Sequence, residues 1–115
     1  MSVPNVSVPL EIQSIELKKA ALVFRAVNHK LRQQMLQLIH KKDRLKVTDI
    51  FVKLRMEQSI VSQHLAILRS AGIVNTQREG KMIFYSVNYD RLEQMHKIAA
   101  ELLKDQYMFA EHFSP

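Results

Sequence analysis

The stretch SIVSQHLAILRSAGIVNTQREGKMIFYSV, residues 59–87, decides the fold. Its first half carries a helical period: at 100° per residue, Val61, Leu65 and Leu68 fall within about 60° of one another. Ile60, His64, Ile67 and Ala71 widen that face to one side, which predicts a helix over 58–71 packing this side inward. Gly72 follows at once, where a helix most often ends in a left-handed residue. Beyond it the residues favour strand. Residues 73–79 and 81–87 predict two short strands, the second rich in Met82, Ile83, Phe84, Tyr85 and Val87, folded about Gly80, where a positive φ is most needed.

Upstream, Val47, Ile50, Phe51 and Leu54 stand at i, i+3, i+4 and i+7, which predicts a short third helix starting near Lys46 or Thr48 and broken at 55–57. With the helix after it, this makes a helix-turn-helix. Ile12, Ile15, Ala20, Val23, Phe24 and Val27 predict a first helix over 11–27, with Asn28 ending it or capping the next. Leu31, Met35, Leu38 and Ile39 predict a second, which stops in the charged turn 41–44. Downstream, Asp90 is expected to open a fifth helix whose Leu92, Met95, Ala99 and Leu102 form a stripe, with Ile98 and Leu103 beside it. That stripe calls for a partner surface. Residues 1–10, with Pro4 and Pro9, are expected to be a flexible arm, residues 11–106 the folded domain and 107–115 a tail. The tail's Tyr107, Phe109 and Phe113 are expected to cover apolar surface at a dimer core.

A chain of 115 residues suits one domain, and 47% apolar with 24% charged residues suits a globular one. Two glycines and three prolines leave little loop, so the expected class is mostly α with a small β-hairpin. The absence of cysteine excludes disulfides, thiolate metal sites and a thiol nucleophile. With no long apolar run and no signal-peptide pattern at its start, the chain is expected to be cytoplasmic, without membrane contact. Net charge is +6, and it is unevenly spread: residues 41–81 hold nine Lys/Arg against four Asp/Glu, residues 82–115 three against five. Such a distribution suits a polyanion-binding face at one end and a self-associating face at the other. No paired carboxylates, nucleophile with base, or phosphate-cradling glycine loop appears, so no enzyme is expected.

Opposite its apolar side, the fourth helix carries Ser59, Ser62, Gln63, Ala66 and Ser70, with Gln58 and Arg69 at the margin. On an isolated helix such a face is usually mere solvated surface. After a short helix and before a basic hairpin it suits a DNA major groove. Gln58, Ser59, Ser62 and Gln63 can bond base edges or nearby phosphates, Ala66 permits close approach, and Lys46, Arg69, Arg78 and Lys81 can hold the backbone electrostatically.

The same stretch resembles the recognition helix and wing of the ArsR/SmtB-type bacterial repressors, whose pattern is roughly S-x-V-S-x-H-L-x-x-L-x-x-A-G-L-V, followed by a glycine-tipped wing and Y-S. Ser59, Val61, Ser62, His64, Leu65, Leu68, Ala71, Gly72, Val74, Gly80, Tyr85 and Ser86 match, with Ile73 and Val87 as conservative replacements. AVNHKLRQQMLQLI, from Ala26, resembles the start of the family's second helix, with Asn28 where Asp is usual and His29 where Pro is usual. The resemblance covers residues 17–104. It implies a winged helix-turn-helix that dimerises through its first and last helices and binds a pseudo-palindromic duplex DNA operator, with half-sites about one helical turn apart or a multiple.

Many members of that family sense metals, and the resemblance allows their ligand positions to be checked here. Lys46 and Thr48 stand where the thiolate site has its cysteines, and Tyr89, Arg91, Leu102 and Asp105 stand at the fifth-helix zinc positions. His29, His40, His64, His96 and His112 show no spacing that puts two on one helical turn. No metal and no cofactor are therefore expected, and the residues name no inducer. Two other readings remain beside DNA-binding repression: a winged-helix module binding a protein partner through its apolar helices and aromatic tail, and a metal-responsive repressor with an atypical His/carboxylate site.

Overall fold

The computed structural model describes residues 7–104, in which five helices and three strands follow in the order α1 Ser14–Val27, α2 Lys30–Lys42, β1 Leu45–Lys46, α3 Val47–Leu54, α4 Gln58–Ser70, β2 Val74–Glu79, β3 Met82–Val87 and α5 Tyr89–Leu102. This is a winged helix-turn-helix. The core lies where α2, α3, α4 and the base of the sheet meet: Met35, Ile39, Ile50, Val61, Leu65, Leu68 and Ile73 are fully buried there. Among the described residues no helix is long and apolar enough to cross a membrane.

The ends of the elements follow local chemistry. Asn28 closes α1, donating its N–H to the Phe24 carbonyl. The cap of α2 is His29, extended in its backbone, whose ring Nδ1 receives the Arg32 N–H at 3.5 Å. Arg55 closes α3 in the left-handed region, φ 54°, its N–H directed to the Phe51 and Val52 carbonyls; a non-glycine residue accepts that cost here because the turn into α4 is so short. α4 ends in a Schellman motif: Gly72 N–H bonds the Arg69 carbonyl and Ile73 N–H the Leu68 carbonyl, each at 2.9 Å. Its hydrophobic contact is supplied by Ile73 and Leu68, both fully buried.

Several boundaries differ from the sequence expectation. α1 starts at Ser14 rather than Glu11. Residues 7–10, the part of the expected arm that is described, lie outside helix and strand, while 1–6 and the tail 107–115 with its aromatics fall outside the described residues. The α5 cap is Asn88, whose side chain accepts the Arg91 N–H, so the helix opens one residue before Asp90. The hairpin is larger than expected: β1 adds to it, giving a three-stranded antiparallel sheet in the order β1-β3-β2. Leu45 pairs with Tyr85 and Lys46 with Phe84. A two-residue strand carries no detectable alternation, which is why periodicity misses it.

α1 and α5 stay largely in water. Ala26 is the only buried residue of α1 and Met95 the only one of α5. Ile15 is 70% exposed, Leu22 58%, Ile98 44% and Leu102 76%. Each helix thus packs some apolar residues on the core and leaves others in contact with water.

Candidate nucleic-acid interface

α4 presents the expected polar face. Val61, Leu65 and Leu68 are buried, while Gln58, Ser59, Ser62, Gln63, Ala66, Arg69 and Ser70 are all exposed. Ile60 and Ile67, expected to pack inward, are 39% and 41% exposed: they lie at the edges of the apolar face, beside the three residues that are fully buried. No side chain caps α4 at Glu57, so the first-turn N–H groups remain open to an acceptor such as a phosphate oxygen.

The wing is a two-residue hairpin. Glu79 pairs with Met82 across Gly80 and Lys81, and Gly80 has φ +62°, the left-handed value that the first position of such a turn needs. Arg78 and Lys81 are exposed beside this tip. Lys46 ends β1 opposite Phe84 and is half-buried, so it belongs to the sheet as well as to the start of α3. The eight residues read as DNA-contacting thus divide into five on α4, two at the wing tip and one at the root of the sheet.

Two polar clusters were not legible in the sequence. The first joins three helices. Arg32 of α2 donates through Nε to His64 Nδ1 on α4 at 3.2 Å and through Nη1 to the Arg25 and Ala26 carbonyls of α1, each at 3.2 Å. The His29 ring lies 5.1 Å from that of His64. Partial burial, then the neighbouring Arg32 and His29, lowers the His64 pKa below its ordinary value of 6.5. The lowered pKa favours the neutral form of His64, which accepts from Arg32 where α4 meets α2. In the second, Arg44 reaches across from the α2–β1 connection to bond both carboxylate oxygens of Glu79, at 2.6 and 3.2 Å, and lies 4.1 Å over the centre of the Phe84 ring. The hydrogen bond from Arg44 holds the Glu79 carboxyl below the usual range and, reciprocally, raises the arginine. No spacing rule connects residues 32 or 35 positions apart; only the fold brings them together.

Among the described residues no group of three His, Cys, Asp or Glu side chains is placed to hold a metal ion. At the positions checked for family zinc ligands, the Tyr89 hydroxyl contacts His40 Nδ1 at 2.7 Å, Arg91 lies over Gly72, and Leu102 faces solvent. Asp105 lies outside the described residues.

Residues 29–76 match the model of the family described as "Bacterial regulatory protein, arsR family". An HTH-type transcriptional regulator of Methanocaldococcus jannaschii is 35% identical over 85 residues, spanning 74% of this chain and 96% of that one. The transcriptional repressor PagR of Bacillus anthracis is 31% identical over 94 residues, 82% of this chain and 94% of its own. Its crystal structure superposes with a TM-score of 0.60 at 30% identity, covering 76% of this chain and 99% of PagR. The structure of HlyU from Vibrio cholerae, a protein named as a transcriptional activator, superposes with a TM-score of 0.59 at 31% identity, covering 76% of this chain and 94% of HlyU.

Proposed function

Since the chain belongs to the arsR family of bacterial regulatory proteins and is a transcriptional regulator, we propose that it is a cytoplasmic repressor that binds a pseudo-palindromic duplex operator as a homodimer. The observation that carries this reading is the outward face of α4: small polar residues, all exposed, on a helix seated by three buried apolar ones and flanked by a basic wing. Gln58, Ser59, Ser62 and Gln63 read base edges or bond adjacent phosphates, while Lys46, Arg69, Arg78 and Lys81 neutralise the backbone. Residues 11–106 form the binding unit, and the exposed apolar residues of α1 and α5 pair with those of a second copy. That pairing displays two recognition helices for half-sites about 34–36 Å apart. The protein works without the family's thiolate or fifth-helix metal sites, its regulation resting on another signal.

The experiment compares Gln63→Ala with Lys81→Ala against duplexes varied one base pair at a time. Loss of a base contact costs about 1–3 kcal/mol of discrimination at one position, whereas loss of a phosphate contact weakens all sequences alike and lowers the salt slope by about one. Uniform effects from both variants would remove Gln63 from the base-reading role.

A further inference from the structure

The wing of this protein is gripped from outside the hairpin. Among the described residues three ion pairs occur; two of them, Lys97–Glu93 and Lys104–Glu101, join near neighbours in and just after α5. Arg44–Glu79 alone ties separate elements, over 35 residues of sequence. Its geometry is the two-pronged fork that suits arginine and a carboxylate. The same guanidinium covers Phe84, which stands opposite Lys46 on one side and Gln77 on the other. One side chain therefore touches both strands of the wing from the corner where β1 begins.

Glu79 is the only carboxylate between residues 74 and 87, and it sits beside the turn, between Arg78 and Gly80 and two positions before Lys81. Unpaired beside the turn, its negative charge would weaken the attraction of those cations for phosphate. Strand alternation puts Arg78 on the opposite face of the hairpin from Glu79, so anchoring one sets the roll of the strand and the aim of the other. A hairpin standing away from the core is marginal by itself. Around Gly80 a side-chain carbon would meet no heavy atom within 4 Å, so the tip has no packing of its own at that position.

We propose that Arg44 is a positioning residue for the wing: by forking Glu79 and covering Phe84 it fixes the hairpin against the β1 corner and keeps a carboxylate off the DNA backbone. This rests on the DNA-binding reading above.

Three proteins of equal net charge test it: the unmodified chain, R44Q/E79Q and R44E/E79R. Each is titrated into a labelled duplex from upstream of its own gene over a series of salt concentrations, and backbone amide exchange around Gly80 and Lys81 is followed in the free proteins. R44Q/E79Q is expected to bind about threefold more weakly at an unchanged salt slope, in keeping with the modest worth of exposed pairs, and to exchange faster at the wing tip. R44E/E79R is expected to recover to within about twofold of the unmodified protein. Equal affinity and equal exchange for all three would overturn the proposal, leaving net charge as the whole effect. So would weakening of both variants with the salt slope reduced by about one, which identifies Arg44 as a phosphate contact. If the unmodified chain binds no duplex, the DNA reading itself fails, while amide exchange still reports whether the clamp holds the wing.

Discussion

Replacing Gly72 by alanine probes the joint between the recognition helix and the wing. Gly72 has φ +74°, and its carbonyl receives the Asn88 side-chain amide at 2.8 Å, so its conformation ties the end of α4 to the start of α5. An L-residue held in this left-handed region costs roughly 1–2 kcal/mol. The added carbon would also lie 3.0 Å from Arg91 Nη2 and 3.1 Å from Nε. Those atoms end a flexible side chain whose one hydrogen bond away from the backbone, to Gln94, is long at 3.5 Å, so Arg91 swings aside at little cost. The conformational cost dominates, and G72A should lose about 1–2 kcal/mol. For a domain of this size that is a fall of roughly 5–15 °C in melting temperature at fixed protein concentration. Asparagine, which tolerates the left-handed region, should lose less than alanine. Thermal unfolding of G72A, G72N, R91A and G72A/R91A separates the causes. A melting temperature for G72A within a degree of the parent would rule out a conformational cost at Gly72, and recovery of most of the loss in G72A/R91A relative to R91A would place the cost in the contact with Arg91 instead.

Leu65→Ala removes a fully buried side chain from the inner face of α4 and should cost about 3 kcal/mol in chemical denaturation, enough to lower the yield of folded protein. His64 gives a pH signature. Its folded pKa lies below its ordinary 6.5, so the contribution is full above 6.5, and as pH falls through that value the unfolded chain takes a proton the folded one refuses. Stability therefore drops on acidification until the folded-state value is passed, and H64Q, which keeps an acceptor for Arg32, should show a shallower fall between pH 7 and 5 in melting scans. The double variant I98E/L102E puts carboxylates on the exposed apolar face of α5 and should sediment as a monomer with operator binding reduced at least tenfold; a dimer of unchanged affinity would point to a different interface.

Much of this fold was legible because it depends on local rules. α2, α3 and α4 announce themselves through apolar residues three and four apart, and Gly72 and Gly80 mark two of the places where φ turns positive; Asp43 and Arg55, which also do so, carry no such mark in the sequence. The fifth-helix cap was less determinate, since Asn88 and Asp90 are both good caps and the hydrogen bonds of Asn88 to Arg91 and to the Gly72 carbonyl arise only in the folded chain. β1 escaped because Leu45 and Lys46 become a strand only by pairing with β3. Ile60 and Ile67 were assigned to the core by angle alone, and angle does not show where neighbouring elements stop covering a helix. The eight proposed contact residues followed from residue type and helical face. Arg32, His64, Arg44 and Glu79 were beyond reach as partners, because their meetings depend on how α2 crosses α4 and on where β1 joins the sheet.

Sequence-specific duplex binding is tested by fluorescence anisotropy of the unmodified protein with a labelled duplex from upstream of its own gene, beside a scrambled duplex of equal length and composition, over several salt concentrations. Tight binding to the upstream duplex is expected, at least a hundredfold over the scramble near physiological salt, with affinity falling linearly in log salt for both. Equal affinity for the two duplexes at every salt concentration, or no binding to either, would contradict it.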